Sequence, residues 1–177
     1  MKEKIKEISP YVLIVVVIVV IRIFIATPVK VDGDSMYNTL NDNDIVLLSK
    51  LSSIDRFDII VLKENDNNAT IIKRVIGMPG DKVVISNAKV YINDSKTPLN
   101  ETYLPEEWTQ VNGDEEPLEY KVPKGCYFLM GDNRNNSSDA RFWKNTYVKR
   151  SKIIAKAEFK YWPWNHKGFF AKVKYAQ

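Results

Sequence analysis

The chain holds one cysteine, Cys126, and one histidine, His166, among its 177 residues. A single thiol excludes an internal disulfide, so the fold must hold by its core alone even if it is exported. Cys126 opens the apolar run CYFLM and reads as a small buried hydrophobe. His166, in YWPWNHKG near the C-terminus, is the only imidazole that a hydroxyl or thiol nucleophile could use as a base. An excess of one charge is lacking too. The formal charge is +4 and the basic residues are scattered, so the basic stripe of a nucleic-acid-binding surface is missing and nucleic acid is not an expected partner. A charge of this size is compatible with anionic headgroups without demanding them.

Long apolar runs are absent but for one. Residues 11–26, YVLIVVVIVVIRIFIA, are nearly all apolar. Sixteen helical residues reach about 24 Å, slightly short of a hydrocarbon core of about 30 Å. Arg22 lies one turn from Ala26, where its long stem can carry the charge to the interface. A basic start and a short apolar core also suit a cleaved leader, but IATPVK puts Pro and Val where small residues are wanted. A retained anchor is the better reading. Lys2, Lys4 and Lys6 precede it and only Lys30 follows closely, which places residues 1–10 in the cytoplasm, 11–26 in the membrane and 27–177 on the outer face. The expected location is therefore the cytoplasmic membrane, crossed once.

The exported part has the size of a single core. DIVLLSK, FDIIVLKE, ATIIKRVIG, DKVVIS and KVYIND are rich in β-branched residues and spaced like an antiparallel meander. Pro79-Gly80-Asp81 and Asn93-Asp94 are turn signals, and CYFLM and IIAKAEFKYW read as late strands. Residues 93–122, acidic and proline-spaced, read as an inserted lobe. The fold class is mostly β: one N-terminal helix, then an antiparallel sheet with a smaller lobe.

Ser35 stands nine residues beyond the apolar run, in VDGDSMYNTL. A serine hydroxyl needs a positioned base. Lysine is plentiful, but its free amine, with a pKa near 10.4, is protonated at neutral pH unless burial destabilises the ammonium. Lys73 is flanked by Ile71, Ile72, Val75 and Ile76 in a strand. An inward face would desolvate it, whereas an outward one would leave an ordinary edge lysine. No metal or cofactor is expected.

VDGDSMYNTL, FDIIVL, IIKRVIGMPGD and GDNRNNSSDAR resemble, in that order, the sequence boxes of type I signal peptidases, above all the short single-anchor form of Gram-positive bacteria. Each box alone is weak, and four in order are strong. The resemblance runs from the anchor to the YWP near residue 163. It implies a Ser/Lys endopeptidase acting on signal-peptide-bearing preproteins at the lipid bilayer, with the export machinery a compatible neighbour. On the matching positions it implies Ser35 as nucleophile and Lys73 as general base. It further implies Met36 packing the site, Ser137 hydrogen-bonding the lysine, and Asp139 and Arg141 bracing the site with Arg74 beside the base. The Ser35 backbone N–H is the expected oxyanion donor, with no second donor identifiable.

Two positions depart from the family's usual pattern. Asn38 replaces the usual proline, which removes a rigid turn element although Asn also favours turns. Gly33 stands where Gram-negative relatives carry a serine. Two rival readings remain. A Ser/Lys self-cleaving repressor would need a DNA-binding head in place of the apolar run. A silent relative that binds preproteins without cutting would typically lack the serine or the lysine. Trp162, Trp164, Phe169 and Phe170 are expected either to dip into the membrane interface or to pack on the sheet.

Overall fold

The computed structural model describes residues 10–18, 27–64, 69–109, 117–170 and 173. Residues 10–18 are helical and exposed along their length. Among the described residues no helix is long and apolar enough to cross a membrane; residues 19–26, the second half of the expected anchor, lie outside them, as does the N-terminus before residue 10.

The rest is mostly β, and every strand pair is antiparallel. The β-branched runs form β1 (Thr27–Lys30), β2 (Ile45–Ser49), β3 (Ile59–Lys63), β4 (Thr70–Gly77), β5 (Lys82–Ser86) and β6 (Lys89–Ile92). After the inserted segment come β7 (Leu118–Lys121), β8 (Cys126–Met130), β9 (Val148–Lys149), β10 (Ile153–Trp162) and β11 (Gly168–Phe169). The main sheet runs β1-β2-β10-β3-β4-β8-β9, with β11 beside β10. A second sheet runs β6-β5-β7 and takes in the end of the acidic segment.

The main sheet is not the simple meander that the strand spacing suggests, because β10 lies between β2 and β3. Its ten residues are long enough to serve both: Ile153–Lys156 pair with β3 and Lys156–Trp162 with β2. A buried cluster of Ile60, Leu62, Val75, Phe128, Leu129 and their neighbours fills the space toward the second sheet, including Val83 and Ile85. A smaller cluster joins Met36, Leu40, Val46, Ile59, Val61 and Ala157. The serine box therefore packs its own apolar residues into the core beside β2, β3 and β10.

Candidate active site

Ser35 sits in the turn region that follows β1, and Lys73 lies midway along β4. Burial of Met36 and Leu40 on the same turn ties the serine to the core. Lys73 pairs across the sheet with Ile60 and is only 4% exposed, so its face of β4 looks inward. Its Nζ donates to Ser35 Oγ at 2.7 Å. Burial holds the amine below its ordinary value; Arg141 acts the same way, while Asp139, Glu64 and Asp132 oppose it. Desolvation penalises the ammonium, and no carboxylate lies within ion-pair distance to offset it among the described residues.

The loop after β8 closes over the serine. The Asn133 backbone N–H donates to the Ser35 carbonyl at 3.1 Å, and its side-chain amide donates to the Asp34 carbonyl at 3.2 Å. Gly131 is required by this approach. A Cβ there would lie 2.1 Å from Ser137 Oγ and 2.5 Å from the Ser35 carbonyl oxygen. The expected bond from Ser137 to Lys73 is not made. Ser137 Oγ is buried without a hydrogen-bond partner, because it is turned against Gly131. His166 lies exposed in a short turn, Trp164–His166.

Three arginines and three carboxylates surround the dyad. Arg74 forks Asp132 through Nε at 2.7 Å and Nη2 at 2.6 Å, and its Nη1 donates to the Phe57 carbonyl at 2.7 Å. Thr39 Oγ1 donates to the same Asp132 at 2.5 Å, which fastens the serine turn to β4. Asp139 accepts from Arg141 Nε and Nη2, both at 2.9 Å, and from the Gly131 N–H at 2.9 Å. Arg134 forks Glu101. The resemblance pointed to Arg74, Asp139 and Arg141. It did not single out Thr39, Glu101, Asp132, Asn133 or Arg134. Asp132, Asn133 and Arg134 lie inside the recognised GDNRNNSSDAR run, so their place in that box was the available signal. Glu101 stands in the acidic, proline-spaced segment of weaker periodicity and gave none.

A cavity of about 460 Å³ adjoins the dyad, lined by Val29–Asp32, Ser35, Val61 and Thr70–Lys73. Two strand edges face it. β1 ends the main sheet, and among the described residues the 70–73 half of β4 pairs only with β3, since β8 takes Arg74, Val75 and Gly77. The Ser35 backbone N–H has no acceptor among the described residues, whereas the Gly33 N–H is taken by Asp42 at 3.0 Å.

Residues 4–162 match the family described as signal peptidase, peptidase S26. A Signal peptidase I of Bacillus caldolyticus is 35% identical over 95% of this chain and 97% of its own length. Signal peptidase I S of Bacillus subtilis is 37% identical over 93% of this chain and 92% of its own. The crystal structure of a signal peptidase I from Enterococcus faecalis superposes with a TM-score of 0.50 at 30% identity, covering 60% of this chain and 98% of that one.

Proposed function

The chain belongs to the signal peptidase family, peptidase S26, as a type I member and serine peptidase, and from this premise we propose that it removes signal peptides with a Ser35–Lys73 dyad while anchored in a membrane by residues 11–26. The observation that carries the dyad is the 2.7 Å contact of a buried, desolvated lysine amine with the serine hydroxyl.

Neutral Lys73 accepts the Ser35 proton as Oγ attacks the carbonyl carbon that ends the signal peptide. The negative oxygen of the tetrahedral intermediate is met by the unpaired Ser35 N–H. The Lys73 ammonium then returns its proton to the departing amine, which leaves an ester on Ser35. A water that gives its proton to Lys73 cleaves the ester, and the proton passes back to Ser35. Asp139–Arg141 and Asp132–Arg74 brace this arrangement, and Met36 anchors the serine turn in the core. Ser137, one residue beyond the Arg134–Asn136 turn, packs against Gly131 beside the Ser35 carbonyl.

The substrate lies extended in the cavity beside Ser35. Its backbone pairs along Val29–Val31 and the 70–73 half of β4, and the apolar lining of Val29, Val31, Val61 and Ile72 selects small side chains before the cut. Cleavage of a signal-peptide substrate in detergent by wild type, Ser35→Ala and Lys73→Ala tests the reading. Each variant should lose at least about 10³-fold in kcat/KM while remaining folded. Wild-type cutting by Lys73→Ala would remove the lysine from the mechanism. An inactive wild type would favour the silent-relative reading.

A further inference from the structure

Segment 101–109, ETYLPEEWT, lies on the inserted part of the chain and takes no part in the serine–lysine chemistry, yet it touches all three arginines around the dyad. Tyr103 faces Arg74 Cζ at 4.0 Å from its ring centroid. Trp108 faces Arg134 at 5.0 Å and Arg141 at 5.3 Å. Glu101 forks Arg134, and the Tyr103 hydroxyl donates to Glu101 at 2.6 Å. Asn135 fastens the far end: it accepts from the Thr109 N–H at 2.8 Å and donates to Glu106 at 2.7 Å and to the Glu107 carbonyl at 3.1 Å. Trp108 is 4% exposed, which is unusual for a tryptophan in an acidic connecting segment.

A ring stacked on a guanidinium fixes the plane of that group and shields it from water. Arg141 needs that plane to offer Nε and Nη2 together to Asp139. The groups acting on Lys73 are Asp139, Glu64 and Asp132, which favour its ammonium, and Arg141, which opposes it; Ser35 is the hydroxyl it touches. The Asp139–Arg141 pair thus supplies both signs of the local field, and Trp108 lies against its cation. We propose that Trp108 is a positioning residue of the peptidase reaction: it holds Arg141 and Arg134 in place and thereby fixes the charge balance around the Lys73 amine. The inference rests on the Ser35–Lys73 reading.

The sign follows from the field. A loosened Arg141 leaves Asp139 less compensated, which favours the ammonium of Lys73 and withholds the neutral base until higher pH. The full chain in detergent, with a signal-peptide substrate, is assayed for kcat/KM from about pH 6 to 10 as wild type, Trp108→Leu and Trp108→Phe. Trp108→Leu should move the acid limb up by about half to one pH unit, a loss of about three- to tenfold at neutral pH that closes at the alkaline end. Trp108→Phe keeps a ring on both guanidinium groups and should restore most of the wild-type profile. A Trp108→Leu loss that is equal at every pH, or none, overturns the proposal. If circular dichroism shows that Trp108→Leu is unfolded, Asn135→Ala, which cuts the segment's tether, carries the same test: a raised limb supports the proposal, and a uniform loss or a wild-type profile overturns it. Lys73→Ala, run alongside, separates this outcome from failure of the dyad, since wild-type cutting by that variant removes the dyad itself.

Discussion

At the scale of single residues, Lys73 pays for its role in stability, and the sign of that cost can be measured. Its amine is held below the ordinary value by burial, so between the folded and unfolded midpoints the unfolded chain binds more protons. Stability then rises with pH through that window and levels off above the free value near 10.4. Lys73→Met should therefore be more stable than wild type at pH 6, by about 1.4 kcal/mol for each pH unit of the depression. The gap should close toward pH 10; a gap that is constant with pH in urea titrations would contradict the desolvated amine. Gly131 makes the opposite kind of demand. The Ser35 carbonyl is backbone and cannot swing away from an added Cβ 2.5 Å distant. Gly131→Ala should thus cost at least about tenfold in kcat/KM through displacement of the serine turn, and an unchanged rate would show that the loop does not fix Ser35. The burial of Lys73 was not legible in its flanks Ile71, Ile72, Val75 and Ile76, which suit an outward edge lysine as well; the family boxes pointed to it, and the pairing of the strand decides its face. Nor was the clamp of Thr39 on Asp132 legible, since 93 positions separate the two and only the folded chain brings them together.

At the scale of elements, the strands were legible because β-branched runs such as IIVLK and KVVIS carry their own pattern. The place of β10 was not legible. Which strands a strand separates is decided by pairing between distant parts of the chain, here Ile153 with Leu62 and Trp162 with Ile45, and no local signal encodes it. β10 also carries a buried ion pair, with Lys160 Nζ 2.8 Å from Asp44 at the head of β2. Both residues are buried, and Asp44 also accepts from the Asn41 N–H at 2.9 Å. The pair therefore ties the long strand to the end of the serine turn. Removing one partner leaves the other charge uncompensated in a dry site. Lys160→Met should destabilise the domain by about 3–5 kcal/mol, and Lys160→Met with Asp44→Leu should recover most of that loss. Chemical denaturation decides the matter: equal losses in the single and double variants would mean that packing, and not charge, was disturbed.

At the scale of the whole molecule, the proposed anchor sets where the sheet would meet a signal peptide. Ser35 follows Ala26 by nine residues, a reach of at most about 30 Å, so an anchor over 11–26 would hold the nucleophile near the outer surface. The sheet puts an aromatic edge close to the same level. Pro28 of β1 pairs with Leu47, Leu47 with Phe159, and Phe159 with Phe169, a row that crosses four strands in about 15 Å. Phe169 is 81% exposed at its end, and Tyr161, Trp162 and Trp164 are exposed nearby in the chain. Lys167 lies 4.3 Å from the Trp164 ring centroid and adds a cation suited to headgroups. Phe170 differs: it packs against the smaller core cluster. Of the four aromatics named from the sequence, three are therefore free to enter an interface and one is committed to the sheet, an alternation that the consecutive residues Phe169 and Phe170 leave undecided until β11 is paired. Replacing Trp162, Trp164 and Phe169 together by serine should weaken binding of a chain beginning at Thr27 to anionic vesicles by about tenfold or more. Cleavage of a short soluble peptide should stay within about twofold. Phe170→Ser should instead lower thermal stability with vesicle binding unchanged, as expected for the loss of a packed ring. Equal co-sedimentation of the two chains would place the vesicle contact on another face of the domain, and no binding by either would leave the apolar segment 11–26 as the proposed membrane contact. Either outcome would also mean that the aromatic edge owes its exposure to something other than lipid.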